Sequence, residues 1–379
     1  MAEILSPLDA VHSALGGVMV AFAGWRMPLR YTSDLAEHVA VRTAAGIFDL
    51  SHMGEIRVSG AQAATALDHA LVGNLSAVAV GKARYTMICA ADGGVVDDLV
   101  VYRTADDEYL VVANASNHDV VLTELEQRCT AFDAAVTDES AQTALIAVQG
   151  PRAQEIVTAV AAPQDATAVA ELKYYTGLPA TVAGIPALVA RTGYTGEDGF
   201  ELFVPAEQAV ALWDALTVAG EPFGLVPAGL SARDSLRLEA GMPLYGNELD
   251  RTTTPYDAGL GRVVKLDKTA ADGSPLDFVG RGPLYARKHS APSRVLVGLQ
   301  GLGRRAARHG YPVLRSAEAA DVVVGHVTSG VPSPTLGYPI ARAYVTPEVS
   351  AVGTELAVDV RGRAEPVRVV ALPFYRRPQ

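Results

Sequence analysis

The chain has 379 residues, of which 49% are hydrophobic and 19% are charged, and its formal net charge at pH 7 is -11. This length predicts two or three folding units with buried cores, and the composition excludes a mainly disordered chain. The negative charge argues against non-specific binding to DNA or to an acidic membrane, because both would require a basic surface.

The N-terminal segment lacks the pattern of a targeting signal. Residues 1–25 read MAEILSPLDAVHSALGGVMVAFAGW, in which an acid precedes any base, whereas a signal peptide begins with basic residues. Its uncharged run is shorter than the roughly 20 apolar residues that span a bilayer. The cysteines of the chain are Cys89 and Cys129, so no disulfide framework is expected. We therefore expect a cytoplasmic protein with no membrane partner.

Short β-prone segments recur along the chain and are separated by turn residues. They include GEIRVSG, ARYTMICA, GGVVDDLVVYR, EYLVVANA, TALIAVQG, PALVARTGY and GFELFVP. Helical patterns lie between them at residues 116–129, with Ser116 or Asn117 as N-cap, and at 150–161, 205–220 and 228–241. Strand pairs mixed with single helices predict an α+β protein with mainly antiparallel sheets rather than a doubly wound parallel sheet.

The composition shifts to Gly, Pro, Ser and charged residues near residue 270. We interpret residues 271–294 as a connecting segment. Residues 1–270 would form the α+β region, with two interleaved subdomains. Residues 295–379 are short β-prone segments rich in Gly, Pro and Val, without a convincing helix, and predict a small β-barrel or sandwich.

Common cofactor motifs are missing from the sequence. No G-x-G-x-x-G follows a strand, and neither G-x-x-x-x-G-K-[ST], H-E-x-x-H nor C-x-x-C occurs. The histidines are scattered, so we expect no metal site. Cys89 lies in a β-prone segment, where an apolar core residue is favoured over a catalytic thiol. Any catalysis would therefore rest on carboxylates, tyrosines and arginines.

Two adjacent acids, Asp97 and Asp98, interrupt an apolar β-prone run. Alternation in a strand puts Val96, Asp98, Val100 and Tyr102 on one face, and Asp97, Leu99 and Val101 on the other. If both acids lie within the strand, at least one carboxylate meets a buried surface and needs a partner, which a ligand could supply. The alternative is a strand that begins after the acids and leaves them in a solvated turn.

A third acid, Glu201, follows a glycine-rich turn in the segment RTGYTGEDGFELFV. Glu197 and Asp198 are expected at the solvated tip of this turn. In the strand that follows, Phe200, Leu202 and Val204 face one way, and Glu201 and Phe203 the other. Taken alone, this position favours an exposed face for Glu201 over a ligand site.

Basic residues that could pair with these acids occur in two places. The predicted helix at 228–241 carries Arg233 and Arg237, and an ion pair between Arg237 and Asp234 is the structural interpretation. The segment RRAARH at 304–309 is the densest basic cluster of the chain. It is either a solvated loop or a surface where an acidic partner docks.

Seven segments together resemble a known family, the glycine cleavage T proteins, which are aminomethyltransferases. The similarity extends over nearly the whole chain in the expected order. The segments are FAGWRMPLRYTS (22–33), FDLSHMGE (48–55), GGVVDDLVVY (93–102), QGPRAQE (149–155), RTGYTGEDGFEL (191–202), ARDSLRLEAGMPLYGNELD (232–250) and TSGVPSPTLGYPIA (328–341).

The resemblance implies a three-domain cloverleaf with a C-terminal β-barrel and a central cavity for tetrahydrofolate. It implies a reaction of glycine catabolism that moves the one-carbon unit from the aminomethyl-dihydrolipoyl H protein to tetrahydrofolate. Ammonia and methylenetetrahydrofolate would be released. Tetrahydrofolate would be a cosubstrate, with no tightly bound cofactor. The partners would be the lipoylated H protein and, functionally, the P and L proteins, with no nucleic acid.

The resemblance also implies the residues of the site. Asp98 would be the catalytic carboxylate and Glu201 the carboxylate that recognises the pterin. The other implied folate-binding residues are Met53, Tyr85, Val112, Asn114, Tyr174, Tyr194 and Arg233. Tyr375 and Arg376, with Arg377, would contact the folate tail, in a part of the family that varies.

Chemistry is consistent with both carboxylate roles. A pterin edge has a ring N–H beside an exocyclic amine, and a carboxylate can accept both in two parallel hydrogen bonds. A carboxylate beside the attacking nitrogen of folate can orient that nitrogen and stabilise positive charge on the transferred carbon.

Three alternatives stay open. One is another folate-dependent one-carbon enzyme of the same fold, against which the missing flavin motif and LYGNELD argue. The second is a non-catalytic folate-binding protein related to iron–sulfur maturation, whose K-G-C-x-x-G-Q-E-like motif does not occur here. The third is an interaction protein whose acids are surface features.

Overall fold

A computed structural model describes residues 3–270, 273–317 and 322–377. Its strands are β1 (Ile4–Leu5), β2 (Val18–Phe22), β3 (Trp25–Arg30), β4 (Ala45–Asp49), β5 (Gly54–Ser59), β6 (Ala83–Cys89), β7 (Val95–Ala105), β8 (Glu108–Ala113), β9 (Ala135–Asp138), β10 (Thr143–Gln149), β11 (Gly177–Val182), β12 (Ile185–Ala190), β13 (Gly199–Pro205), β14 (Leu225–Pro227), β15 (Val295–Gly301), β16 (Pro312–Leu314), β17 (Val323–Pro332), β18 (Pro339–Val345), β19 (Glu355–Asp359) and β20 (Ala364–Val370). Its α-helices are α1 (Asp9–Ala14), α2 (Asp34–Thr43), α3 (Ala63–Ala70), α4 (His118–Cys129), α5 (Ala153–Val160), α6 (Ala166–Ala170), α7 (Ala209–Gly220), α8 (Leu230–Glu239) and α9 (Arg281–Lys288).

A six-stranded sheet in the order β11-β12-β13-β10-β4-β14 forms one half of the N-terminal region. Its pairs are antiparallel except for β14 with β4. Helices α5 and α7 cover one face, where Ile156, Trp213 and Leu216 pack with Phe200 and Leu202 of β13. The opposite face is left for a second layer.

A five-stranded antiparallel sheet in the order β6-β7-β8-β5-β9 supplies that layer. Helices α3 and α4 cover its outer face. Its inner face packs against the six-stranded sheet, where Tyr102 and Val112 meet Phe48, Leu145 and Phe203. Helix α8 joins the same core. The polar residues on the two inner faces are thereby brought between the sheets.

The C-terminal region is a closed barrel in the order β15-β18-β17-β16-β19-β20. Its core consists mainly of valine and alanine, which fit the narrow interior of a small barrel. In residues 295–317 and 322–377 the helical structure is a single 3₁₀ turn, Pro347–Val349. The prediction of mainly antiparallel sheets with a C-terminal barrel is confirmed, and the sandwich alternative is wrong.

The four predicted helices form, but each is shorter than its pattern. They correspond to α4, α5, α7 and α8. Helix α4 begins after a 3₁₀ turn, Ala115–Asn117, and the Asn117 side chain makes no capping bond because it donates to Asp97 instead. Helix α7 likewise follows a 3₁₀ turn, Ala206–Gln208.

The segment interpreted as a connection contains helix α9, which the sequence did not indicate. Phe278 and Leu284 are buried against β6 and β7 residues. The ammonium of Lys268, just before the segment, donates to the backbone carbonyls of Asp68 and Leu71. The segment is therefore packed onto the five-stranded sheet, at least over residues 273–294; residues 271 and 272 lie outside the described ranges.

Among the described residues, no helix has the length and apolar character needed to cross a bilayer.

Candidate functional site

Asp97 and Asp98 both lie within strand β7, so the alternative that placed them in a solvated turn is wrong. Their side chains point to opposite faces of the sheet, as alternation predicts. Leu99, on the face of Asp97, packs with α3 and α4, while Tyr102, on the face of Asp98, packs against the six-stranded sheet. Asp98 therefore faces the space between the two sheets.

The predicted alternation fails at Val96. The register of β6 and β7 shifts so that Ile88 pairs with Asp97 and Cys89 with Val95, which leaves Val96 as an extra residue. Such a bulge turns a side chain to the other face. Val96 therefore packs on the helix-covered face rather than beside Asp98.

Asp97 is fully buried and tied to the turn that follows β8. Its carboxylate accepts from the backbone N–H of Asn114 at 2.9 Å, from the Asn114 amide at 2.9 Å and from the Asn117 amide at 2.6 Å. Burial, followed by the charge of Asp98, raises the pKa of Asp97, while these hydrogen bonds lower it. Asp97 thus fixes Asn114, which also contacts its neighbour.

Asp98 is half-buried and is held by two neutral donors. The Tyr85 hydroxyl donates to Oδ2 at 2.9 Å, and the Asn114 amide donates to Oδ1 at 2.9 Å. Burial raises the pKa of Asp98, although these two hydrogen bonds act in the opposite direction. The carboxylate is therefore fixed in direction without being neutralised by a cation.

Three neighbouring strands, β6, β7 and β8, place the side chains around Asp98 in register. Val100 of β7 pairs with Val112 of β8 on one side and with Tyr85 of β6 on the other, so the three lie in a row across the inner face. Asp98 lies two residues before Val100 in β7, and Asn114 lies two residues after Val112, just past the end of β8, so both belong to the next row. The structure therefore brings Tyr85, Asp98, Val112 and Asn114 together.

Glu201 projects from β13 into the same space between the sheets. Phe200, Leu202 and Val204 pack on the helix-covered face and Phe203 on the inner face, which confirms the predicted alternation. Glu201 is half-buried rather than on an open surface. Its Oε2 accepts a hydrogen bond from the Thr192 hydroxyl and a longer one, 3.3 Å, from the Tyr102 hydroxyl.

Arg233 and Tyr194 lie at the edge formed by helix α8. The guanidinium carbon of Arg233 lies 4.6 Å from the ring centroid of Tyr194, and the Tyr194 hydroxyl donates to the carbonyl of Pro243. Burial lowers the pKa of Arg233, and the charge of Glu201 opposes that shift. Arg233 therefore adds a positive charge to the side of the space that carries Glu201.

Family models match almost the whole chain. The model described as the GCVT N-terminal domain matches residues 8–268, and that of the glycine cleavage T-protein C-terminal barrel domain matches residues 294–376. The chain belongs to the glycine cleavage T-protein family.

Individual members of the family are similar over their full length. A protein of Streptomyces coelicolor named aminomethyltransferase is 61% identical over 374 residues, which cover 98% of this chain and 97% of that protein. One of Saccharopolyspora erythraea with the same name is 59% identical and covers 98% of each. The crystal structure of the glycine cleavage system aminomethyltransferase T from Bartonella henselae superposes with a TM-score of 0.89 at 35% identity, over 98% of each chain.

In this T-protein family member, the prediction that Glu197 and Asp198 occupy a solvated tip is wrong. Glu197 is buried and pairs with Arg42 of α2 at 2.9 Å. Asp198 is half-buried and pairs with Arg191 and, at 3.6 Å, with Arg377. The loop packs onto α2 because Arg42, which is distant in sequence, and the nearby Arg191 offset the cost of burying its carboxylates.

Of the remaining sequence-predicted residues, Met53 lies beside the inner face, and the others lie nearer the surface or the domain junction. Tyr174 is 52% exposed, Met53 is half-buried beside the inner face, and Arg376 is exposed. The Tyr375 ring lies 4.1 Å from the guanidinium carbon of Arg42, and its backbone N–H donates to the carbonyl of Glu239. Tyr375 is therefore held by the protein itself.

The expected ion pair of Arg237 with Asp234 forms at 2.7 Å, but a buried partner was missed. Arg237 also pairs with Glu248 at 3.0 Å, and both side chains are almost fully buried. The Thr328 hydroxyl of the barrel donates to Glu248, and the charge of Glu248 raises the pKa of Asp98. Glu248 thus joins the barrel to the surroundings of Asp98.

Sequence reasoning also missed two hydroxyls and an amide, those of Tyr102, Thr192 and Asn117. Alternation had placed Tyr102 on the face of Asp98, which was the available signal. Thr192 and Asn117 carried none, because their contacts with Tyr102 and Asp97 depend on how the strands and loops pack.

Cys89 is buried in an apolar core, as predicted. Across residues 3–270, 273–317 and 322–377, no group of three or more His, Cys, Asp or Glu side chains could hold a metal ion.

Proposed function

We propose that the protein is an aminomethyltransferase of glycine cleavage that uses Asp98 and Glu201 on a bound tetrahydrofolate. It would transfer the one-carbon unit from aminomethyl-dihydrolipoyl H protein and yield methylenetetrahydrofolate, ammonia and the dihydrolipoyl H protein. One observation carries the assignment of the site. Two half-buried carboxylates from facing sheets point into one space, and the donors that hold them are hydroxyls and an amide rather than cations.

Glu201 is the residue suited to recognise the pterin. Its Oε2 accepts from the Thr192 hydroxyl, with Tyr102 as a longer contact, so Oε1 and the second acceptor position of Oε2 can both accept from a ligand. A carboxylate fixed on a strand can accept the ring N–H and the exocyclic amine in parallel, as it accepts an arginine. The flat walls that such a ring needs would come from Tyr85, Tyr194, Met53 and Val112, with Tyr174 at the outer edge and Arg233 as a nearby cation.

Asp98 is the residue suited to act on the reacting atoms. In the donor, the methylene carbon lies between sulfur and an ammonium, so transfer to the folate nitrogen develops positive charge on carbon. A carboxylate at ~4 Å contributes about 4 kcal/mol of attraction at an effective dielectric of ~20, before desolvation is subtracted. Tyr85 and Asn114 hold its orientation, so little reorganisation is needed when the charge develops.

We also propose that the H protein docks near the basic cluster 304–309. Arg304, Arg305 and Arg308 are exposed. His309 contacts the carbonyl of Thr328 at 2.8 Å, and the Thr328 hydroxyl reaches Glu248 near the catalytic space. The lipoyl arm of an acidic protein bound here would be separated from that space by the Thr328 and Glu248 side chains. A functional association with the P and L proteins, which the resemblance implies, is part of the proposed function.

The C-terminal residues are proposed to contact the folate tail. Arg376 and Arg377 are exposed and basic, as contacts for the acidic folate tail should be, whereas Tyr375 is engaged by Arg42. We also propose a cytoplasmic location, because two cysteines in 379 residues suit a reducing compartment.

The deciding experiment is ammonia release from aminomethylated H protein. We expect fast release when tetrahydrofolate is present, stoichiometric formation of methylenetetrahydrofolate, and slow release without it. Equal release in both conditions would reject folate as the acceptor. A chain that binds neither H protein nor tetrahydrofolate would reject the function as a whole.

Replacing Arg304 and Arg305 together by Glu tests the docking surface. Because like charges would then face an acidic partner, we expect the KM for H protein to rise by about tenfold at low salt, with kcat unchanged. The matched control replaces Arg315 and Arg368 of the same barrel, which are 49% and 43% exposed in surface ion pairs. An equal effect in both double variants would mean that net charge, and not this surface, governs association.

A further inference from the structure

Three side chains form a chain of hydrogen bonds that crosses from one sheet to the other. The Tyr102 hydroxyl lies 2.8 Å from the Thr192 hydroxyl, and Thr192 donates to Oε2 of Glu201. Tyr102 belongs to β7 of the five-stranded sheet, whereas Glu201 belongs to β13 of the six-stranded sheet and Thr192 precedes it in the connecting loop. Tyr102 is 2% exposed and Thr192 4%.

The number of available protons determines the direction of these hydrogen bonds. Each hydroxyl has one proton to donate. The Thr192 proton goes to Glu201, so the Tyr102 proton goes to the Thr192 oxygen, with a longer contact of 3.3 Å to Glu201. Burial and the charge of Glu201 hold the pKa of Tyr102 well above its usual range, so its hydroxyl stays protonated. Both protons therefore point toward the carboxylate, and each bond strengthens the next.

The hydrogen bonds from Thr192 and Tyr102 reach only Oε2 of the Glu201 carboxylate. The Thr192 hydroxyl donates to Oε2 and is itself fixed by Tyr102, so rotation of the Glu201 carboxylate about its terminal bond is restricted. The plane of the carboxylate then determines the plane in which a ligand can donate two parallel hydrogen bonds.

The same strand carries the proposed catalyst. Asp98 and Tyr102 lie on one face of β7, four residues apart, which corresponds to about 13 Å along a strand. Tyr102 therefore links the side chain of Glu201, on the opposite sheet, to the strand that also carries Asp98.

We propose that Tyr102 and Thr192 are positioning residues that orient Glu201 for recognition of the pterin edge. This inference rests on the proposed function, and it adds two residues that act on the ligand only through Glu201.

The variants Tyr102→Phe and Thr192→Val remove one hydroxyl each and keep the shape of the side chain. Because the series of hydrogen bonds from Tyr102 to Glu201 is interrupted, we expect the Kd for tetrahydrofolate to rise about tenfold, as measured anaerobically by calorimetry. The KM for tetrahydrofolate should rise similarly, with kcat at saturating folate within about twofold of the unchanged protein. Thr192→Ser keeps the hydroxyl and should restore the affinity.

Two buried hydroxyls outside the site provide matched controls. The Tyr109 hydroxyl donates to the carbonyl of Leu75 on the helix-covered side, and the Thr158 hydroxyl has no hydrogen-bond partner among the described residues. Tyr109→Phe and Thr158→Val should bind tetrahydrofolate as the unchanged protein does. Thermal unfolding of all five variants shows whether an affinity change merely reflects lost stability.

A ligand analogue separates positioning from packing. In an analogue of tetrahydrofolate with a methyl group in place of the exocyclic amine, the second hydrogen bond to Glu201 cannot form. The preference for tetrahydrofolate over this analogue should shrink in Tyr102→Phe and Thr192→Val and stay intact in the two controls.

The outcomes distinguish this inference from the function it depends on. Unchanged affinity and preference in Tyr102→Phe and Thr192→Val, alongside weakened binding by Glu201→Ala, would overturn the positioning role and leave the function standing. Failure of Thr192→Ser to restore affinity would also overturn it, because packing would then explain the loss. If Glu201→Ala binds tetrahydrofolate normally, the pterin assignment itself is wrong.

Discussion

Two regions of the molecule differ in the partners that they give to their buried or half-buried carboxylates. At the junction of α2, α8 and the barrel, Glu239 accepts from Arg42 at 2.8 Å, from the hydroxyls of Ser333 and Thr335, and contacts His38 at 3.2 Å. Burial alone would raise its pKa, but His38, Ser333 and Arg42 outweigh burial and lower the pKa to about 2. Glu239 is a charge whose partners are all supplied by the protein.

Asp98 and Glu201 have fewer and weaker partners. Asp98 is held by a phenol and an amide, and burial raises its pKa. Neutral donors fix the direction of a carboxylate and leave most of its charge available to a ligand. The difference separates a carboxylate that joins domains from one that can act on a substrate, although all of them are acids at least partly removed from water.

The largest effect is expected from Asp98→Asn. Asparagine keeps the shape but loses the charge that stabilises the cationic carbon, so kcat should fall by about a thousandfold. The measurement is ammonia release from aminomethylated H protein at saturating tetrahydrofolate. Near-normal turnover would show that the available charge at this position is not used in catalysis.

Glu239→Gln should damage stability and not the chemistry. Its buried ion pairs with Arg42 and His38 would be lost, and the pKa shift from 4.5 to about 2 corresponds to roughly 3 kcal/mol of unfolding free energy at neutral pH. Urea unfolding at pH 7 measures this loss, and kcat per folded molecule should be retained. The control is Glu355→Gln, which breaks an exposed pair with Arg368 on the barrel and should change stability by under about 1 kcal/mol.

Glu201→Ala should weaken folate binding by about ten- to a hundredfold, because charge-assisted hydrogen bonds to the pterin are lost. Calorimetry with tetrahydrofolate gives the Kd. Glu207→Ala, on the exposed turn after the same strand, is the control and should bind normally. Equal Kd values for the two variants would remove Glu201 from the site.

The smallest effect is a difference in how stability depends on pH. The pKa of Asp98 is raised in the folded state, so its ionisation costs stability as pH rises above the unfolded value of 3.8. Asp98→Asn should therefore raise the melting temperature at pH 8, and this gain should fade toward pH 4. The pKa of Glu239 is lowered, so the stability deficit of Glu239→Gln should be full above about pH 5.5 and shrink as pH falls from 4.5 toward 2. Parallel pH profiles for the two variants would contradict the contrast between the two regions.

Much of the fold could be predicted from local patterns in the sequence. Period-two alternation placed Asp98 and Tyr102 on one face of β7 and Glu201 apart from Phe200, because strand geometry fixes which side chains share a face. It failed at Val96, where a bulge depends on pairing with β6 and leaves no local signal.

The environment of individual charges could not be predicted in the same way. Glu197 has the sequence of a solvated turn but is buried because Arg42, 155 residues away, pairs with it. Thr192 and Tyr102 are 90 residues apart and meet only when the sheets pack. Helix α9 was missed because glycine and proline in its first turn disguise it as a loop.

The alternation of β7 limits how this strand can change in length. Inserting or deleting one residue between Asp98 and Tyr102 would turn one of the two toward α3 and α4, so the proposed catalyst and the proposed support of Glu201 could no longer face the same space between the sheets. Tolerance to insertion or deletion of a single residue should therefore be lowest in this interval of β7.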